Sequence, residues 1–265
     1  SFKIYKIMKT GIKTIKKIVL KILSLFNLEL KKIETTYNLI ELSDSDKEIV
    51  HYVQKNELSM ASPQRLTATL MAVKYVCNSK IEGDFVECGV WRGGNSIIAL
   101  KIIGILNASK NVWMYDTFEG MTEPTQYDYE NDSGINAIDE YKLNERDNHS
   151  EWCYASIEDV QENIKEFSEV SKINLIKGDI VNTLNIQSNL PKKISVLRLD
   201  TDWFESTKKE LEVLYPLLSI GGVLIIDDYG HWGGCKKAVD EYFEKIGKKP
   251  LLIPSDYTGR ICIKS

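Results

Sequence analysis

Apolar positions along the chain change their period several times. Between Phe2 and Lys32, Ile12, Ile15, Ile18, Val19 and Ile22 recur at helical spacing among lysines, which predicts a basic amphipathic helix. Asp44 to Gln54 reads as a short helix with Ser43 as its cap. Ser59 to Ser62 is a polar break. Pro63 behind it suits a first helical turn, and Leu66, Leu70, Val73, Val76 and Cys77 carry the helical period to Asn78. Beyond this point short apolar runs alternate with helical patterns. Strands are predicted at Asp84–Gly89, Asn111–Asp116, Lys172–Gly178, Ile194–Asp200 and Gly221–Asp228. Helices are predicted at Gly94–Leu106, Ser156–Phe167, Ser206–Leu218 and Gly234–Ile246, and two β-like runs, Leu251–Pro254 and Arg260–Lys264, close the chain.

Strands alternating with helices imply βαβ units, hence an α/β fold with a parallel sheet covered on both faces. The two final runs suit an antiparallel hairpin at its edge. Glu119 to Ser150 is polar, acidic and without period. An insertion of that length reads as a lid, a substrate loop or a flexible segment.

Composition narrows this picture only a little. Apolar content of 43% and charged content of 27% suit a globular chain with one sizeable core. A net charge of −4 gives no reason to expect nucleic acid as a partner. Five scattered cysteines without a CxxC suggest neither a zinc ribbon nor a disulfide framework, so a reducing, cytoplasmic compartment is expected. Local charge matters more. Nine lysines precede residue 33, and the first acid is Glu29. That helix either packs on its own domain or a second subunit, or lies peripherally on an anionic membrane, where it could meet a lipid-linked glycan.

In an open parallel sheet, ligands bind beyond the carboxyl ends of the strands. Those ends read Glu87-Cys88-Gly89, Asp116, Gly178-Asp179, Asp200 and Asp227-Asp228. Turn or cap roles explain one or two such residues; five point to a shared site. The first turn, ECGVWRGGNS, is neither GxGxxG nor a phosphate loop, which argues against a dinucleotide or ATP. Asp116, 27 residues after Gly89, stands where an acid commonly accepts ribose hydroxyls. A nucleoside with an amino-acid tail and no phosphate, S-adenosylmethionine, meets that description. Asp200, Asp227 and Asp228, with no histidine or cysteine ligand beside them, suit a hard divalent cation, Mg²⁺ first. Asp202 reads instead as a cap of the helix that follows. His231 and Tyr229 follow on the same edge, and either can act as a base or touch substrate. Trp113, Trp152, Trp203 and Trp232 offer either stacking faces for a sugar or packing surface.

DFVECGVWRGGNS, MYDTFEGM, LRLDTDWFEST and LYPLLSIGGVLIIDDYG, in that order, resemble the macrocin O-methyltransferase family. The resemblance spans about Ser59 to Arg260, with no match in the first 40 residues. It implies a Rossmann-like class I methyltransferase with a mostly parallel seven-stranded sheet, an antiparallel C-terminal hairpin and helices on both faces. It divides the chain into a basic amphipathic helical extension and lid, residues 1–58, and a methyltransferase domain, residues 59–265. The implied activity is O-methylation of a sugar hydroxyl with S-adenosylmethionine and Mg²⁺, by a homo-oligomer. By resemblance, Met60 would cover the cofactor, and Glu87, Gly89 and Trp91 would hold its methionine end. Asp116 would take the ribose, with Thr117, Phe118 and Glu119 nearby. Ser156, Gly178 and Asp179 would border the adenine. Asp200, Asp227 and Asp228 would bind Mg²⁺, and Asp200 would lead as general base, with His231 as a further catalytic candidate. A metal-dependent catechol or phenol methyltransferase and a non-catalytic module keeping the fold are the competing readings.

Overall fold

Seven strands form one sheet in the order β3-β2-β1-β4-β5-β7-β6. The computed structural model describes residues 40–265 apart from residues 148, 168 and 170. The lysine-rich helix expected before residue 33, with its membrane and subunit readings, lies outside the described residues. Glu41–Ser265 form one compact unit. The strands are β1 (Asp84–Cys88), β2 (Val112–Asp116), β3 (Ile173–Lys177), β4 (Ile194–Leu199), β5 (Leu218–Ile226), β6 (Ile253–Pro254) and β7 (Arg260–Ile263). The first five run parallel. β7 is antiparallel to β5 and to β6, so the expected edge hairpin is present.

Side-chain alternation along the strands separates two faces. Val86, Cys88, Leu197, Leu199, Leu224, Ile226 and Cys262 face a core shared with Leu211, Leu214, Tyr242 and Phe243. Those last four belong to α7 (Phe204–Val213), the turn after it and α8 (Gly233–Lys245). The alternate residues, Phe85, Glu87, Val196, Arg198, Val223 and Ile225, point to the other face. There α2 (Pro63–Asn78) and α3 (Gly94–Ile105) lie against the sheet. α1 (Asp44–Lys55) packs on both of these helices. Ser43 caps α1 in a reciprocal box with Asp46, as expected.

Several boundaries differ from the sequence expectation. The helix expected to run to Leu218 ends at Val213; Pro216 enforces a tight turn there, and β5 starts already at Leu218. The helix expected over Ser156–Phe167 keeps α-helical form only over Ile157–Ile164 before tightening into a 3₁₀ turn. The acidic insertion contains a short helix, α4 (Ile138–Asn144), and bridges at Tyr129–Asn136, Glu130–Trp232 and Glu145–Ser150. It is anchored by a fully buried carboxylate, Asp128. No apolar period marks it because hydrogen bonds order it.

Candidate active site

The strand tips are knitted level by backbone bonds that continue the ladder. Gly89 donates to Tyr115 O at 2.8 Å, Asp200 to Cys88 O at 2.8 Å, Asp227 to Leu199 O at 2.9 Å, and Gly178 to Asp116 O at 2.9 Å. The acids at these tips are therefore neighbours. At Gly89 φ is +81°, and any Cβ would overlap the Asp200 carbonyl, so glycine alone fits.

The first strand's acid meets an internal partner. Glu87 and Arg198 are in register across β1 and β4. Arg198, 1% exposed, donates from Nη1 to Glu87 Oε1 at 3.0 Å and to Asp200 Oδ2 at 2.7 Å, and from Nη2 to Asp227 Oδ1 at 2.5 Å. The second Glu87 oxygen accepts from Ser96 Oγ. Burial nevertheless pushes Glu87 up to about 7, against the opposing pull of Arg198 and Ser96. Arg65, in the first turn of α2, pairs with the other Asp227 oxygen and with Asp256 at 3.1 Å. The positive charge that this crowd of acids requires is thus built in twice.

The adjacent pair after β5 splits. Asp227 continues the face of Ile225 and Arg198; Asp228 turns to the other side. The three carboxylates whose oxygens come within 4.8 Å of one another are Asp200, Asp202 and Asp228. Asp227 is outside that group, both its oxygens being held by arginines. Asp202 joins it because its backbone adopts φ +68°, uncommon for a residue with a Cβ. Its side chain does not cap α7. The Phe204 N–H is instead capped by Asp128 Oδ1 at 2.8 Å, from 76 residues away. Burial and mutual repulsion raise Asp200 and Asp228 well above the ordinary carboxylate range, and burial lifts Asp202 to about 7. No donor among the described residues reaches Asp228 Oδ2, although it is buried. Six acids (Glu87, Asp200, Asp202, Asp227, Asp228 and, on Arg65, Asp256) face two guanidiniums. An orphaned buried oxygen and surplus negative charge on oxygen donors fit a hard divalent cation.

The remaining predicted residues line the neighbouring tips. Asp116 accepts from the Val90 and Trp91 N–H groups at 2.7 and 3.0 Å, and from the Phe118 N–H at 2.8 Å. It fixes both the β1–α3 turn and its own loop. Trp91 and Phe118 have positive φ in those turns; Phe118 is buried and Trp91 stacks under the Arg92 guanidinium at 4.8 Å. Thr117 Oγ1 donates to Gly120 O at 2.6 Å, and Glu119 pairs with Lys177 at 2.9 Å. Ser156 caps α5 (Ile157–Ile164), and Asp179 caps α6, the single turn Ile180–Thr183. Gly178 has φ +133°. Met60 is 58% exposed just ahead of α2. His231 Nδ1 lies 2.9 Å from the Tyr257 hydroxyl, at the rim. Trp203 and Trp232 are buried with ring centroids 5.0 Å apart; Trp152 sits half-buried 5.5 Å from Trp203. Trp113 is tied to Asp84 at the opposite end of β1.

Arg198, Arg65, Asp128 and the site-facing Asp202 were not anticipated as site residues. Arg198 left a signal: an arginine inside the apolar run VLRLD must meet buried acid. Arg65 and Asp128 left none, since their partners are distant in the chain.

A sheet of this order, with acids and glycines at its carboxyl edge, defines a class I methyltransferase, and a solved structure of similar build is the O-methyltransferase NovP. That structure matches with a TM-score of 0.67 at 29% identity, covering 78% of this chain and 82% of that one. The chain belongs to the macrocin O-methyltransferase family, whose model matches residues 14–261. The match begins well before Ser59, so part of the first 40 residues, where the sequence motifs show no resemblance, falls within the family model. Similar curated proteins are demethyldecarbamoylnovobiocin O-methyltransferase of Streptomyces niveus, 32% identical over 77% of this chain and 74% of its own length. Another is 8-demethyl-8-(2,3-dimethoxy-alpha-L-rhamnosyl)-tetracenomycin-C 4'-O-methyltransferase of Streptomyces olivaceus, 33% identical over 76% and 73%. The chain is a methyltransferase, and its family implies S-adenosylmethionine as methyl donor. Among the described residues no helix is long and apolar enough to cross a membrane.

Proposed function

We propose that this protein methylates a hydroxyl of a sugar, on a glycan, nucleotide-sugar or glycosylated natural product, using S-adenosylmethionine and Mg²⁺. The observation that carries the metal dependence is the convergence of Asp200, Asp202 and Asp228 around the orphaned Asp228 oxygen. The sugar acceptor is supported by the relatives: one is named as the 4'-O-methyltransferase of a rhamnosyl-tetracenomycin and another as the 3''-O-methyltransferase of mycinamicin III.

Asp200 and Asp228 would hold the cation, with Asp202 as the third oxygen in the present arrangement. Asp227, expected from the sequence as a ligand, would join by exchanging its Arg65 ion pair. A bound divalent cation supplies Lewis acidity that eases deprotonation of a hydroxyl. The donor supplies an electrophilic methyl group on a sulfonium. Gly89 admits the donor close to the backbone, Asp116 stiffens the turn that receives it, and Met60 would cover it. Glu87 acts from below, because both its oxygens are already engaged. Asp200 would take the hydroxyl proton, and Asp202 and His231 are the further acceptors within the site. Trp152, backed by Trp203 and Trp232, offers an apolar face to a sugar ring. Aligning two bound reactants can contribute roughly 7–11 kcal/mol to lowering the barrier.

The test is methyl transfer from labelled S-adenosylmethionine to deoxysugar nucleotides, rhamnosides and catechol, with Mg²⁺ or EDTA. Transfer to a sugar that EDTA abolishes is expected. Transfer to catechol alone, or transfer indifferent to chelation, would overturn the proposal.

A further inference from the structure

The buried side of α7 is apolar at Phe204 and Leu211, with Leu214 following in the turn, but it carries a fully buried carboxyl, Glu210. A carboxyl on such a side is costly unless it holds something. Its one hydrogen-bond partner is Thr201, whose Oγ1 donates to Glu210 Oε1 at 2.7 Å, and Oε2 has none among the described residues. Thr201 is the middle residue of Asp200-Thr201-Asp202. Its carbonyl also accepts the Trp203 N–H at 2.7 Å and Ser206 Oγ at 3.3 Å. The loop between β4 and α7 is four residues long, 200–203, and it bears two of the three convergent carboxylates. It contains the left-handed turn at Asp202, a conformation that persists only where surrounding contacts over-determine it. Asp200 is held by Arg198 and Trp203 by its indole N–H on Thr122 O at 2.9 Å, so the Thr201 side chain is the tie between the middle of the loop and α7, and Glu210 is what it is tied to.

We propose that Glu210 is a positioning residue that fixes the Asp200-Thr201-Asp202 loop through Thr201, and so sets how tightly the site grips a divalent cation. This rests on the reading of Asp200, Asp202 and Asp228 as cation-facing groups. Glu210 touches neither substrate nor donor. The cofactor's expected contacts lie on the tips of β1, β2 and β3, so donor affinity should not depend on it.

The experiment titrates Mn²⁺ and, separately, S-adenosylhomocysteine into the full chain by calorimetry. The variants are Glu210→Gln, Glu210→Met, Thr201→Val and the double Glu210→Met/Thr201→Val. Glu210→Gln retains an acceptor for the Thr201 hydroxyl and should stay within about twofold of wild type for Mn²⁺. Glu210→Met and Thr201→Val should each weaken Mn²⁺ about tenfold, equivalent to about 1.4 kcal/mol. The double variant should be no worse than either single one, because both remove the same bond. S-adenosylhomocysteine affinity should stay within about twofold throughout. Should Glu210→Met fail to fold, Thr201→Val, which deletes one hydroxyl at constant shape, decides alone. Unchanged Mn²⁺ affinity in Thr201→Val, additive losses in the double variant, or an equal loss of donor affinity overturns the proposal. A wild-type chain that binds S-adenosylhomocysteine but no Mn²⁺ sinks the cation reading itself and this inference with it; equal binding by wild type and variants sinks the inference only.

Discussion

Replacing Arg198 by Met keeps length and apolar bulk but deletes the guanidinium from beneath the acids. Glu87 Oε1 and Asp227 Oδ1, on side chains 1% and 3% exposed, then lose their buried partner, and Asp200 loses a bond on a side chain 28% exposed. Removing one member of a buried ion pair costs about 3–5 kcal/mol. Asp227 keeps Arg65, and Asp200 keeps some solvent, so a loss of about 4 kcal/mol at pH 8 is expected from this geometry. The loss should depend on pH. Glu87 already has a folded-state pKa raised from 4.5 to about 7. Without Arg198 it rises further, so the folded variant holds protons that the unfolded chain releases above about 4.5. Wild-type Glu87 is itself protonated below about 7, so the variant regains stability relative to wild type as pH falls from 8 through about 7, and the difference is level below that. Adding Glu87→Gln should recover roughly half of the loss, because the neutral amide needs no counter-charge. Urea unfolding of Arg198→Met, Glu87→Gln and the double variant at pH 8 and pH 5.5, in EDTA, measures this. A loss below about 1 kcal/mol, or one equal at both pH values, would show that Arg198 serves as packing rather than as a counter-ion.

The wild-type chain in EDTA should lose stability as pH rises between about 4 and 8. Glu87 and Asp202 titrate near 7 and Glu210 near 8 when folded, all above their unfolded values, and thermal melts at stepped pH with and without Mg²⁺ should show the cation offsetting the fall. Asp202→Asn and Asp227→Asn should separate the two candidate third ligands: Mn²⁺ titration should show the larger loss for Asp202→Asn if the described arrangement persists on binding, and an equal or smaller loss rules that out. Gly89→Ala should abolish methyl transfer and lower the melting temperature, since its Cβ meets the Asp200 carbonyl at φ +81°; a soluble variant with normal turnover would refute the close approach. Asp128→Ala should cost about 1–3 kcal/mol by uncapping α7 and freeing Thr125, and limited proteolysis should then cut within residues 119–150, whereas an unchanged digest would show that the insertion is held elsewhere.

The parallel sheet was readable because strand and helix periods alternate, and because each strand stops at an acid or glycine. The same edge rule brought Glu87, Gly89, Asp116, Gly178, Asp200 and Asp228 to one edge of the sheet. What could not be read is which way neighbouring acids turn. Asp227 and Asp228 are adjacent, so strand alternation sends them apart, and only the register of β4 against β5 shows that Arg198 waits for one of them. Asp202 looked like a cap because the residues after it begin a helix. Its left-handed backbone and the competing cap from Asp128 are long-range outcomes that local pattern does not encode. The insertion was illegible for the same reason: its order comes from Asp128 and three isolated bridges rather than from an apolar stripe.

Two guanidiniums permanently resident among the acids have a practical corollary. Many small metalloproteins collapse when stripped, because only the ion reconciles their ligands. Here Arg65 and Arg198 already hold most of that crowd together, so the empty enzyme can stand in its native shape and wait. Purification in chelator, storage and later reloading should be reversible, and a shortage of metal would stop turnover well before it cost intact protein.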